Sequence, residues 1–167
     1  MKRNYLPAAV LILVVLAGAF AGWNHWHRAE SAPKPPPIIP LSASQAVSFP
    51  IYYPDAKKLP AGYKLDTNSF SSPVKNGVTY RVTYGDGQKL VFSIQAKPSD
   101  NELQSFNSSY IPLRIDYQTP VGQAEIGAYH NQTLVSLPVV SGPWVIITAP
   151  PDINQNQLKQ VLQSLRS

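Results

Sequence analysis

Two short strings in this chain carry the residue types of serine chemistry. Ser72-Pro73-Val74-Lys75 has a Ser-x-x-Lys spacing, and Ser99-Asp100-Asn101 supplies a Ser-Asp-Asn element. An acyl-transfer enzyme of that kind needs the serine at a helix start with the lysine one turn on, and a Lys-Thr-Gly element besides. Here Lys75 runs directly into Asn76-Gly77 and a strand pattern, and no Lys-Thr-Gly occurs. A Ser-His-Asp triad would have to use His130, yet no Gly-x-Ser-x-Gly turn exists to present a nucleophile. His130 reads as a turn histidine beside Asn131. His25 and His27 offer two imidazoles, too few for a closed metal site. Asp116 and Glu125 fall on neighbouring strand patterns and are the nearest approach to a carboxylate pair. Acid–base work would require both to face one substrate with separated pKa values, and exposed strand charges are the simpler reading. Neither a phosphate-cradling glycine loop nor a cofactor motif is present. Nothing points to an enzyme, and we expect no cofactor and no metal.

The aromatic side chains remain. Thirteen lie in residues 42–167, and most should fill a core. On a curved sheet, Tyr80, Tyr84, Phe92, Tyr117 and Trp144 could also line a cleft for an acyl chain or an apolar peptide.

These residues are positioned by an alternating pattern. Val78, Tyr80, Val82 and Tyr84 alternate with Thr79, Arg81 and Thr83, and Leu90, Phe92, Ile94 and Ala96 with Val91, Ser93, Gln95 and Lys97. Glycine-rich turns separate the two runs, which predicts an antiparallel hairpin. A short helix is expected over 100–107, with Ser99 as N-cap and Glu102 completing a capping box. Leu113, Ile115 and Tyr117 then alternate with Arg114, Asp116 and Gln118; further strands are expected at 124–128 and 133–139. Trp144-Val145-Ile146-Ile147-Thr148-Ala149 is apolar on both faces and predicts a central, covered strand. Pro150-Pro151 stops it. Leu158, Val161, Leu162 and Leu165 form one helical stripe that should close the core, with Asp152 or Asn154 as the cap.

The chain as a whole has 14 Lys and Arg against 9 Asp and Glu, a formal charge of +5, no Cys and 17 Pro. The missing cysteines exclude a disulfide scaffold, a thiolate metal site, a cysteine nucleophile and a lipid-modified cysteine. Residues 42–167 hold ten Lys and Arg against eight Asp and Glu, so most of the excess charge precedes them. They lack the dense basic patch that phosphate binding requires, and no nucleic acid is expected. Residues 6–23 form an 18-residue run without charge, preceded by Lys2 and Arg3 and ending on Trp23, with Trp26 just beyond it. About 20 apolar residues span a bilayer, and basic residues stay cytoplasmic. The expected layout is a cytoplasmic start (1–5), a single transmembrane signal-anchor helix (6–23), a proline-rich linker (24–41) and an extracytoplasmic domain (42–167). A cleaved signal peptide is the competing reading, because Ala19-Phe20-Ala21 fits a small-x-small site. The fold expected is α+β, a curved antiparallel sheet packed by a C-terminal amphipathic helix.

Phe49-Pro50-Ile51-Tyr52-Tyr53-Pro54, Leu59-Pro60-Ala61-Gly62-Tyr63, Tyr80-x-x-x-Tyr84, Leu90-x-Phe92-x-Ile94-Gln95, the Trp144 strand and the closing Val161-Leu162-Gln163-Ser164-Leu165 occur in that order. Over residues 49–166 this resembles the DUF4367-type extracytoplasmic domains, relatives of the LolA and MucB/RseB half-barrels. The resemblance implies a curved antiparallel sheet with helices on its concave side, in some cases around an apolar cleft, and it brings no catalytic residues. The function expected is a membrane-anchored, non-enzymatic binding or interaction domain for an apolar ligand or peptide. The alternative is a structural subunit of a bacterial envelope secretion or pilus assembly, with an envelope protein as partner.

Overall fold

Apolar residues that recur at every second position can be buried together only on a strand, and that rule builds most of this domain. The computed structural model describes residues 38–85 and 87–167. The expected start (1–5), membrane helix (6–23) and most of the linker (24–41) lie outside these residues. Among the described residues no helix is long and apolar enough to cross a membrane.

In chain order the elements are α1 (Leu41–Gln45), β1 (Tyr53–Pro54), β2 (Lys64–Ser71), β3 (Gly77–Tyr84), β4 (Gln88–Gln95), α2 (Asp100–Tyr110), β5 (Arg114–Thr119), β6 (Gly122–Tyr129), β7 (Gln132–Pro138), β8 (Trp144–Ala149), α3 (Gln155–Gln163) and β9 (Leu165–Arg166). Seven strands form one antiparallel, open and curved sheet in the order β2-β3-β4-β8-β7-β6-β5, and β1 pairs with β9 apart from it. The sheet is two meanders, β2-β3-β4 and β5-β6-β7-β8, with β8 at the centre as its two-sided apolar pattern requires. The chain passes from the inner strand β4 to the far edge through α2.

The register follows the apolar alternation, since a slip by one residue would turn every core side chain outward. Tyr80 faces Phe92, Phe92 faces Ile147, Ile147 faces Val135, Val135 faces Ile126 and Ile126 faces Ile115. This single row crosses six strands on one face of the sheet. On the same face α3 lays down Leu158, Val161 and Leu162, all fully buried, followed by Leu165. Asn154 caps α3 by accepting from the backbone N–H groups of Asn156 and Gln157.

The opposite face carries a smaller cluster under α2. Phe106 meets Trp144 edge-on at 4.6 Å, and Tyr110 meets Tyr129 at 4.8 Å. Ile111 packs over Gly127, where a Cβ would sit 2.9 Å from that of Ile111. Only glycine admits so close an approach. The two long helices therefore lie on opposite faces of the sheet, which corrects the one-sided arrangement implied by the resemblance.

α2 begins with the expected capping box. Ser99 Oγ accepts from Glu102 N, and Ser99 N donates to Glu102 Oε2 at 2.9 Å. These bonds from the Ser99 side chain and backbone hold the Glu102 carboxyl below its usual range. Ser99→Ala is expected to cost about 1 kcal/mol of stability, read as a shifted denaturation midpoint. A lowered folded-state pKa gives stability that is present above the unfolded value and is lost as pH falls through the folded one. The gap between wild type and variant should accordingly narrow in acid, and an unchanged gap across that range would count against the cap.

Candidate functional site

The five aromatics proposed as a cleft do not meet around a common space. Tyr80 and Phe92 are buried in the main core, stacked at 4.7 Å, and Phe70 of β2 stacks on Tyr80 at the same spacing. The Tyr80 hydroxyl donates to the Tyr52 carbonyl at 2.8 Å, which ties the segment before β1 to the sheet. Burial pushes the Tyr80 phenol well above its ordinary pKa. Tyr84, on the same face, stacks on Tyr63 at 4.5 Å with rings 2° from parallel. Burial and then the neighbouring Tyr84 push Tyr63 up to about 12; burial and then Asp152 raise Tyr84. Tyr117 lies half-buried on that face near the other edge, beneath the Lys159 ammonium at 5.4 Å.

Trp144 is on the other side of the sheet. Val145 and Ile147 point into the main core, so Trp144, one step out of phase, points toward α2. Its Nε1 donates to Ser136 Oγ at 3.0 Å, and this bond satisfies both buried polar groups. The cleft set is thus four residues of one packed core and one residue of another. Open depressions of about 200, 340 and 500 Å³ occur among the described residues, and Tyr80 borders the smallest, beside Arg81, Ser69 and Thr79.

The serines and the domain histidine have local duties. Ser72 Oγ donates to the Gly77 carbonyl at 2.7 Å and closes the turn before β3, while Ser99 caps α2. His130 and Asn131 both have positive φ, 42° and 58°, and form the two-residue turn between β6 and β7. The His130 ring rests on Tyr129. Among the described residues no three potential metal ligands gather; His25 and His27 lie outside them.

Asp116 and Glu125 are brought together, directly opposite each other on β5 and β6. Arg114 Nε forms an ion pair with Glu125 Oε2. Burial raises the Glu125 carboxyl pKa, Arg114 opposes that shift, and Asp116 adds to it. No known protein family, curated protein or solved structure matches the chain. The site must be read from its own geometry.

That geometry singles out the β5 edge. Leu113 is 90% exposed, Ile115 53% and Tyr110 38%. They make up three of the six large exposed hydrophobics among the described residues, and they stand within six positions of one another. β5 closes the sheet on this side. The Gln118 carbonyl accepts from Gln163 Nε2 at 2.8 Å rather than from β6. Backbone groups alternate in direction along a strand, so those of Arg114 and Asp116 also point off the edge. Sequence alternation marked Leu113 and Ile115 as inward. They do lie on the apolar side of β5, but of that side only Tyr117 packs against the core, and Leu113 and Ile115 stay exposed.

The other edge is guarded. Between Asp66 and Ser71, β2 carries extra residues against β3. Ser69 Oγ accepts from Arg81 N at 2.8 Å and donates to the Asp66 carbonyl, filling the gap in the ladder. A bulge of this kind deters further strand pairing. β5 pairs with β6 without a break.

Proposed function

We propose that this protein is a membrane-anchored, outward-facing, non-enzymatic interaction domain that binds a protein partner along β5. The observation that carries the reading is the coincidence, in one short stretch, of a regular edge strand, flanked by no further strand among the described residues, with exposed Tyr110, Leu113 and Ile115. Exposed strand edges recruit extended chains, and backbone hydrogen bonds supply affinity while flanking side chains supply choice. The uncharged run at residues 6–23 with its preceding Lys2 and Arg3 supports a single-pass anchor with a cytoplasmic N-terminus. The resemblance of residues 49–166 to the DUF4367-type domains agrees with an extracytoplasmic, non-enzymatic role.

A soluble apolar ligand is the weaker choice, because Tyr80, Phe92 and Trp144 already spend their surfaces on core contacts. The same edge also favours a second reading, a structural subunit of an envelope assembly, in which β5 would join neighbouring subunits.

The test is a photo-cross-linking amino acid at Leu113 in the membrane-borne full chain, with the same group at Lys64 on the bulged edge. The expected result is a discrete adduct from position 113 and none from 64. Equal labelling from both positions, or none from 113, would remove the reading.

A further inference from the structure

We infer that the partner of β5 is a second copy of this chain, joined by antiparallel β5–β5 pairing about a two-fold axis at Ile115. The inference rests on the reading of β5 as the interaction edge and adds the identity of the occupant.

The edge sequence is self-complementary about Ile115. Leu113, Ile115 and Tyr117 lie on the apolar side, Arg114 and Asp116 on the other. A two-fold axis perpendicular to the sheet keeps the faces of both copies aligned, so residues directly opposite must share a face. With the axis at Ile115, Arg114 of each copy stands opposite Asp116 of the other. Ile115 meets Ile115, and Leu113 meets Tyr117. Arg114 and Asp116 are the residues whose backbone groups point off the edge. They form the hydrogen-bonded pairs of the new ladder, and Ile115 forms the closer, non-hydrogen-bonded pair.

Charge selects this register over its neighbours. Moving the axis to Arg114 sets Arg114 against Arg114. Moving it to Asp116 sets Asp116 against Asp116. Directly opposed like charges destabilise a strand pair, and opposite charges support it. A shift by one residue in the pair sum would put apolar side chains opposite polar ones on the wrong face.

The protein on its own leaves this charge arrangement incomplete. Asp116 faces Glu125 across β6, Arg114 is engaged with Glu125, and among the described residues Asp116 has no ion-pair partner. The second copy delivers Arg114 to the open side of Asp116. On the apolar side, the row Tyr80, Phe92, Ile147, Val135, Ile126 ends on half-exposed Ile115. Pairing continues that row from one sheet into the next. The edge strand is six residues long, short against the roughly 1,200 Å² that stable interfaces bury. The dimer is weak in dilute solution and gains from two copies held on one membrane, where effective concentration is high.

The chain has no cysteine, so one introduced thiol reports cleanly. In a non-hydrogen-bonded pair the two Ile115 Cα atoms would stand about 4.5 Å apart, within disulfide range. Full chains carrying Ile115→Cys, or Val140→Cys as an exposed control, are reconstituted into vesicles and mildly oxidised. We expect disulfide-linked dimer from Ile115→Cys on the order of tenfold faster than from Val140→Cys, as pre-association implies. Adding Asp116→Arg, which opposes Arg114 with a second arginine, should return the rate to the control level. Circular dichroism melts check that this variant is folded. If Ile115→Cys links no faster than the control, or links equally fast with Asp116→Arg in a folded chain, the second copy is overturned. A Leu113 photo-adduct whose mass is not twice that of the chain would then leave the interaction reading standing with a foreign strand. Absence of any adduct would remove both.

Discussion

Leu162→Asp should abolish the cooperative thermal unfolding of the domain. Leu162 sits fully buried at the centre of the α3 stripe, between Leu158 and Leu165, in the same core cluster as Tyr80, Phe92 and Ile147. Truncating a buried leucine costs about 2–5 kcal/mol through lost transfer energy and the cavity left behind. A carboxylate at that point adds the penalty of an unpaired buried charge, several kcal/mol more. Together these consume the roughly 5–15 kcal/mol that holds a domain folded. The near-ultraviolet circular dichroism signal should be lost at room temperature, with no sharp transition on heating. Gln160→Lys, on the exposed side of the same helix, should melt within about 0.5 kcal/mol of wild type. A Leu162→Asp chain that melts as sharply as wild type would mean that α3 does not close the core.

That helix was legible in the sequence because its apolar spacing is regular and its turns are marked by proline and asparagine. The strands β3, β4 and β5–β8 were legible for the same reason, each with alternation bounded by glycine, proline or asparagine turns. Even the central place of β8 followed from side chains that are apolar on both faces. β2 was not legible. Lys64-Leu65-Asp66-Thr67-Asn68-Ser69-Phe70-Ser71 has no alternation to read, because this strand lies at an edge and bends through a bulge. It is a strand because β3 offers it a ladder. The short β1 and β9 likewise exist only through each other, a pairing between positions more than a hundred residues apart.

The candidate site was legible in residue types and not in faces. Alternation separates the two sides of one strand, but it does not say which sides of two strands coincide. Trp144 joins Phe92 in a cleft only if the register of β4 on β8 sets them in phase. The register found, Phe92 against Ile147 and Gln95 against Trp144, sets them on opposite sides. The exposed edge was hidden by a similar gap. Leu113 and Ile115 have the spacing of a buried face, and the strand order reveals that among the described residues no further strand lies beyond them. A sequence shows what each strand could bury; exposure depends on where the sheet stops.

Phe92→Ala separates a core aromatic from a ligand-binding one. In a cleft, truncating the ring would weaken ligand binding and leave the fold nearly intact. Here the Phe92 ring lies under Tyr80, opposite Ile147, with no solvent exposure. Removing it should cost about 3–5 kcal/mol and lower the melting temperature by roughly 10–20 °C for a domain of this size. Part of the cost passes through Tyr80, whose hydroxyl bond to the Tyr52 carbonyl depends on the stacked position of its ring. Tyr117→Ala removes a half-buried ring at the sheet edge and should cost well under half as much. A fluorescent fatty acid provides the second readout, with no saturable binding expected to wild type or to either variant. A near-wild-type melt for Phe92→Ala, together with saturable fatty-acid binding that the substitution abolishes, would restore the cleft. The reverse pair of outcomes would assign the aromatic row to stability and leave recognition to the β5 edge, where the row runs out of partners.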